Sequence, residues 1–290
     1  MILEAKIHQS MERLSNNESD KLDIKKEEVV EWIDEAVEMV REGLERQLFR
    51  EQEDFRFRMS NISKPSCQLH MEKAGKPKTR MPYNHIMRMM HGDMIEAIMQ
   101  LILRISGANI TGGKNKVKLN VAGTEVRGED DIEIDHKVYD TKSASPWAFK
   151  NKWSEGFAGL QKSDDFGYIG QLVGYSVAQK KEPGGWIVVD KSSGEVKVVE
   201  VDLTKKEVKG ILGDMKSTVK ALDGDFKRCF EPEDETFRRK PTGSKRLSTT
   251  CGFCSFTSSC WPNAKLLPQT GSQAKSPRHY WYTEYNGEEL

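Results

Sequence analysis

The chain has 290 residues, with 45 Lys plus Arg set against 45 Asp plus Glu, and 31% of it is charged. That length buries a proper core in one large or two small domains. The zero net charge excludes an overall polycation, so any nucleic-acid surface must come from local clustering. No apolar run approaches a membrane span, and the opening MILEAKIHQSMERL lacks the layout of a secretory signal. The expectation is a cytoplasmic protein that engages no membrane, whose five cysteines are thiols or metal ligands rather than disulfides.

Residues 1 to about 60 are charge-dense and helical in pattern. Over 25–50, Val29, Val30, Ile33, Val37, Val40, Leu44 and Leu48 recur at three- and four-residue steps, an amphipathic helix for packing or oligomerisation with Trp32 on its flank. Residues 61–82 read as a loop holding Cys67. The next helix, over 84–106, is apolar nearly all round (Ile86, Met90, Ile95, Ile98, Leu101, Ile105) and is expected in the core. It carries His91, Gly92 and Glu96. A lone buried carboxylate is costly, so Glu96 needs Arg88, Arg104 or a nearby metal.

From Lys116 the period drops to two, with Val117, Leu119 and Val121 alternating with polar residues, and Lys114, Lys116, Lys118 and Arg127 close by. Residues 128–142 then read as two short strands joined by a tight turn, Asp135-His136-Lys137, with Ile132, Ile134 and Val138 apolar. The hairpin brings Asp131 and Asp140 together at one sheet edge. Lys142 projects beside Asp140, because residues two apart on a strand share a face. Two carboxylates and an ammonium suit magnesium or manganese bound by Asp131, Asp140 and a carbonyl near Thr141, with Lys142 orienting a water or stabilising charge on phosphorus. The plain alternative is a surface ion pair on a hairpin.

Helices are expected at 146–160 and 167–179, the second placing Gln171 and Tyr175 on one face. A β-hairpin follows around Ser192-Ser193-Gly194, then an amphipathic helix over 205–222. This order predicts an α/β fold with a central mixed β-sheet flanked by helices. After Asp223 the texture changes, and the basic run 237–246 reads as a solvated linker. It leads to Cys251, Cys254 and Cys260, spaced C-x2-C-x5-C among Gly, Ser and Thr. Tetrahedral zinc and a cubane iron–sulfur cluster both want a fourth thiolate, for which Cys67 and Cys229 are the candidates, and the spacing does not choose between the metals. Three segments emerge: 1–83, a helical region with the first cysteine; 84–223, the core; and 224–290, a basic linker with a Cys-rich end.

Taken together, Ser63-Lys64-Pro65-Ser66-Cys67, G-x-x-x-E (Gly92 to Glu96), G-x-x-D (Gly128 to Asp131), D-x-K (Asp140 to Lys142), Q-x-x-x-Y (Gln171 to Tyr175) and the cysteine triplet span about two-thirds of the chain. In this order they resemble the RecB-like branch of the PD-(D/E)XK nuclease superfamily. The likeness is to its iron–sulfur subset, which includes AddB-type domains, CRISPR-associated exonucleases and phage relatives. The resemblance implies that Asp131 and Asp140 bind the catalytic metal and that Lys142 is the catalytic lysine. Glu96 stands where many relatives have a histidine, and would ligate the metal directly or through water. Gln171 and Tyr175 would position Lys142 and the DNA strand. Cys67, Cys251, Cys254 and Cys260 would hold a structural [4Fe–4S] cluster, leaving Cys229 as a free thiol.

The expected activity is therefore hydrolysis of DNA phosphodiesters from ends by a stand-alone exonuclease of a bacterial or phage-infected cell. A recombination or repair protein and a second copy of the chain are further expected partners. Trp147, Lys150, Lys152 and Trp153 could supply stacking surfaces and phosphate contacts, although both tryptophans equally suit a core. The rival readings are a structure-specific endonuclease on the same core, and a non-catalytic DNA-binding or assembly module with a zinc site.

Overall fold

In the computed structural model, which describes residues 2–51, 53–162 and 164–287, the chain divides into two units. The first comprises Met1–Glu53, Phe57–Ser63 and Pro82–Lys216; the second comprises Asp54–Arg56, Lys64–Met81 and Ser217–Leu290. The three sequence segments are thus redistributed, since the stretch around Cys67 belongs with the C-terminal residues.

In the first unit, helices α1 (Ile2–Ser15), α2 (Lys26–Leu48) and α4 (His85–Ile105) accompany a five-stranded sheet, while α3 (Ser66–Lys73) lies in the second unit. Strands β1 (Ile110–Gly112), β4 (Ile132–Ile134), β5 (Lys137–Ala144), β6 (Glu182–Asp190) and β7 (Val196–Glu200) line up as β1-β4-β5-β6-β7. Only β5 and β6 are parallel, so the fold is mixed α/β. β2 (Lys116–Val121) and β3 (Thr124–Glu129) form a separate two-stranded ribbon. Between β5 and β6 run α5 (Pro146–Asn151), α6 (Phe157–Lys162) and α7 (Tyr168–Gln179), the long crossover a parallel pair requires. The single helix expected over 146–160 is broken, because Gly156 adopts φ 66° and ψ −150°, outside any helix. Among the described residues no helix is long and apolar enough to cross a membrane.

The main core lies where Ile7 of α1 and Met99 and Leu103 of α4 meet Ile132, Ile134, Tyr139, Ile187, Val189, Val196 and Val198 of the sheet. Each such fully buried side chain contributes about 1.5–3 kcal/mol. α4 is nevertheless not buried all round as its composition suggested: Met87, Met94 and Ile98 are exposed. On α2 the exposed residues include Val30, Ile33 and Val37, while Gly43 and Gln47 are buried. At Gly43 an added Cβ would stand 2.8 Å from Asp93 Cβ, so it is the lack of a side chain that lets α2 approach α4.

Within the β4–β5 pair, Glu133 on β4 is 1% exposed and is held by the Lys181 ammonium and the Thr111 hydroxyl, the latter at 2.8 Å. Burial works to raise its pKa, but those partners outweigh it and keep the carboxyl below its ordinary value. Lys181→Met should strand this charge and cost about 2–3 kcal/mol in urea denaturation. Lys181→Met with Glu133→Leu should regain most of that loss, and no recovery would mean that the pair does not carry the stability.

The second unit corrects the linker reading of 237–246. β8 (Glu233–Phe237), β9 (Lys240–Arg246), β10 (Lys265–Pro268) and β11 (His279–Glu284) form an antiparallel sheet ordered β10-β11-β9-β8. Its inward positions are polar but satisfied. Glu235 accepts from Tyr282 Oη at 2.6 Å and from Thr242 Oγ1 at 3.0 Å, and Ser244 meets Thr270 at 2.9 Å. Two short helices, α8 (Thr249–Gly252) and α9 (Thr257–Cys260), hold Cys251 and Cys260, Cys254 lies between them, and α3 brings Cys67.

Candidate functional site

The β4–β5 hairpin turns on two residues, Asp135 and His136, with φ 50° and 62°, the positive pair of a type I′ turn. Asn109 Nδ2 donates to Asp135 Oδ1 at 2.9 Å, and the His136 N–H donates to Thr111 Oγ1 at 3.0 Å, fixing the turn. Lys137 already pairs with Ile134, and Ile132 pairs with Tyr139. The ladder thus carries Asp131 alongside β5, where its Oδ2 accepts the Thr141 N–H at 2.8 Å and its carbonyl accepts Gln100 Nε2 at 3.0 Å. The carboxylates do not meet at a sheet edge as expected. β5 is the middle strand of five, because β6 and β7 extend the sheet beyond it, and Asp140 is only 1% exposed.

Asp140 Oδ2 and Lys142 Nζ stand 2.6 Å apart, side by side on one face. Neither Asp140 oxygen, nor Thr141 Oγ1, makes a hydrogen bond of ordinary geometry; Asp140 is met instead by the Lys142 ammonium and the Asp131 carboxyl. Burial, then the charge of Asp140, pushes the Asp131 carboxyl up to about 7, against the opposing pull of Lys142, Lys114 and the Thr141 N–H. Burial likewise raises Asp140, against Lys142. Burial opposes the Lys142 charge, yet Asp140 and Asp131 prevail and hold its pKa above the ordinary lysine value.

Glu96 reaches this group from α4. Burial and then Asp131 raise its pKa, and its ion-pair partner is Lys114 rather than Arg88 or Arg104. Arg104 binds Glu35, and Arg88 donates to Asn84. On α7, Gln171 Nε2 donates to Tyr175 Oη at 3.5 Å, and Tyr175 is buried within electrostatic reach of Asp140, Asp131 and Lys142. Gly128 makes room for this ring, since a Cβ there would lie 2.6 Å from Tyr175 Cε1. Sequence reasoning missed Tyr168, whose ring lies 4.8 Å from Lys142 Nζ, and Lys114 as the partner of Glu96. The position of Tyr168, one turn before Gln171 on the same helix face, was the available signal.

The stacking group splits. Trp153 is core, 3% exposed and stacked on Tyr168, whereas Trp147 is 60% exposed. Lys150 is exposed, and Lys152 lies 5.9 Å from the Phe166 and Tyr168 rings.

Within the second unit, Cys67, Cys251, Cys254 and Cys260 line one pocket with Met71, Phe256 and Trp261. Cys229 is a free thiol, as expected, but it packs on the first turn of α3. Its Sγ accepts the Cys67 N–H at 3.2 Å and lies 3.5 Å from Ser66 Oγ. The hydrogen bond from Cys67 lowers the Cys229 pKa to about 5 and correspondingly raises that of Cys67. Burial raises Cys251, Cys254 and Cys260. Among the described residues, no three His, Cys, Asp or Glu side chains stand closed as a metal cage.

No protein-family model and no curated protein matches the chain. The crystal structure of SSO0001 aligns with 77% of this chain and 94% of its own at 14% identity, with a TM-score of 0.42. A likeness that slight bears on neither family nor function.

Proposed function

We propose that the chain is a metal-dependent DNA nuclease of the RecB-like PD-(D/E)XK type, hydrolysing phosphodiesters from DNA ends. The observation that carries the reading is Asp140, a carboxylate 1% exposed that is crowded by two further carboxyls, Asp131 and Glu96, with Lys142 as its ammonium partner. Carboxylates packed together away from water are costly unless a cation joins them. This all-oxygen set fits magnesium or manganese held by Glu96, Asp131, Asp140 and the Thr141 carbonyl. Such an ion would acidify a water and neutralise charge on the phosphate.

The remaining work falls to the chain's own side chains. Lys142, held protonated by its two aspartates under the Tyr168 ring, is a donor and not a base. It offers its proton and charge to the water or to a phosphate oxygen, where charge develops. Gln171 and Tyr175 would position Lys142 and the DNA strand, while exposed Trp147 and Lys150 suit a base and a phosphate. Four thiols around one pocket fit a structural [4Fe–4S] cluster held by Cys67, Cys251, Cys254 and Cys260, with zinc as the other occupant of the same chemistry.

The test is anaerobic purification with iron, sulfide and zinc analysis, followed by end-labelled linear and covalently closed circular DNA with manganese. Degradation of the linear DNA alone is expected. Cutting of both DNAs would make the protein an endonuclease, and a zinc protein that binds DNA and cuts neither would make it a binding module.

A further inference from the structure

Cys229 is the thiol that the metal centre leaves over, and it is placed against a thiol the centre needs. Its sulfur packs on the first turn of α3, receiving the Cys67 N–H at 3.2 Å with Ser66 Oγ at 3.5 Å, although 162 positions separate the two cysteines in sequence. Cys229 is exposed and Cys67 partly buried, so a small oxidant meets Cys229 first. The competing pair in the same unit is Cys251 and Cys254. Both of those cysteines are partly buried, whereas Cys229 is exposed.

We propose that Cys67 and Cys229 are a redox-responsive dithiol, which peroxide closes to a disulfide that withdraws Cys67 from the metal-binding set. The Cys229 thiolate attacks one oxygen of hydrogen peroxide, the O–O bond breaks, and the departing hydroxide takes up a proton as water. Cys229 is left as a sulfenic acid. The Cys67 sulfur then attacks the Cys229 sulfur; the S–S bond forms, the S–O bond breaks, and the oxygen leaves with the Cys67 proton as a second water. The two thiols lose two electrons and the peroxide gains them. The dithiol stands independently of the nuclease assignment, and only the competition for Cys67 rests on the metal-centre reading.

The test takes the 290-residue chain as purified, and again after treatment with reductant and chelator. Each sample receives one equivalent of hydrogen peroxide and is alkylated and mapped as peptides without reduction. In the stripped protein the main oxidised product should be a Cys67–Cys229 cross-linked peptide, reversible by dithiothreitol and absent in Cys229→Ser. Cys67→Ser should leave Cys229 as a sulfenic acid that dimedone traps. A dominant Cys251–Cys254 disulfide, or Cys229 driven to sulfinic acid beside a reduced Cys67, would overturn the dithiol. Metal-loaded protein should cross-link at least about tenfold more slowly. Equal rates with the metal retained would remove the competition for Cys67. Absence of any metal in the purified protein would count against the metal centre alone, because the peptide map still decides the dithiol.

Discussion

Asp140→Asn should lower DNA hydrolysis by about a thousandfold or more, the scale on which charge stabilisation at a reacting centre operates, and leave the fold standing. Asn keeps the shape of the side chain in a position only 1% exposed, so nothing around it must repack. It also removes a like charge from beside Asp131, which offsets part of what Lys142 loses, and stability should change by about 1 kcal/mol, or roughly 2–4 °C in Tm. Lys142→Ala should be equally inactive but less stable. Removing the ammonium 2.6 Å from Asp140 leaves a buried carboxylate uncompensated, at a cost of about 3 kcal/mol. Initial rates on end-labelled linear DNA, read beside thermal melts, separate the two variants. A folded Asp140→Asn protein with more than about a tenth of the parent rate would leave Asp140 without a part in hydrolysis, since a metal-binding carboxylate contributes far more than tenfold.

The buried position of Asp140 shows where local sequence stops informing. Alternation of Ile132, Ile134 and Val138 about a polar turn made the hairpin legible, and the i, i+2 rule put Lys142 beside Asp140. Depth was not legible, because it depends on β6 and β7 pairing beyond β5 after a crossover of three helices. The partner of Glu96 was hidden for a related reason. Lys114 lies 18 residues away in the approach to β2, with no helical spacing to link them, whereas Arg88 and Arg104 were the arginines on the same helix. On α2 the branched residues drew attention, yet Gly43 determines how closely α4 approaches, and a missing side chain leaves no apolar signal. The sheet of the second unit escaped because its inward residues, Glu235 and Ser244, are satisfied by hydrogen bonds rather than by apolar burial. The contact of Cys229 with Cys67 was hidden because 162 positions separate the two in sequence.

The carboxylate group also fixes how stability should depend on pH. Asp131 has a carboxyl held at about 7 in the folded chain, against 3.8 for an ordinary aspartate. Between those values the folded state keeps a proton that the unfolded state has released, so stability is fully present below about pH 4 and is lost as the pH rises through 7. Asp140 and Glu96 shift in the same direction and reinforce the trend. Glu133 shifts the other way, but its contribution is lost only below the ordinary glutamate range, outside this window. Cys229, with its thiol held at about 5, opposes this trend across the same window, so the profile is read in Cys229→Ser protein. In chelator its Tm should rise as the pH falls from about 7.5 to 5, by roughly 4–8 °C for a difference on the order of 2 kcal/mol. Magnesium or manganese should reverse the slope. The ion binds the ionised carboxylates and competes with the proton, so at pH 8 a concentration a hundredfold above Kd adds about 2.7 kcal/mol, and the gain fades toward pH 5. Asp131→Asn should flatten both profiles, since it removes the titrating group and a ligand together. A chelated Cys229→Ser protein whose Tm is level or falls from pH 7.5 to 5, matching the same protein with Asp131→Asn added, would show that Asp131 is an ordinary ionised carboxylate in the fold, and the stored demand for a cation would be absent.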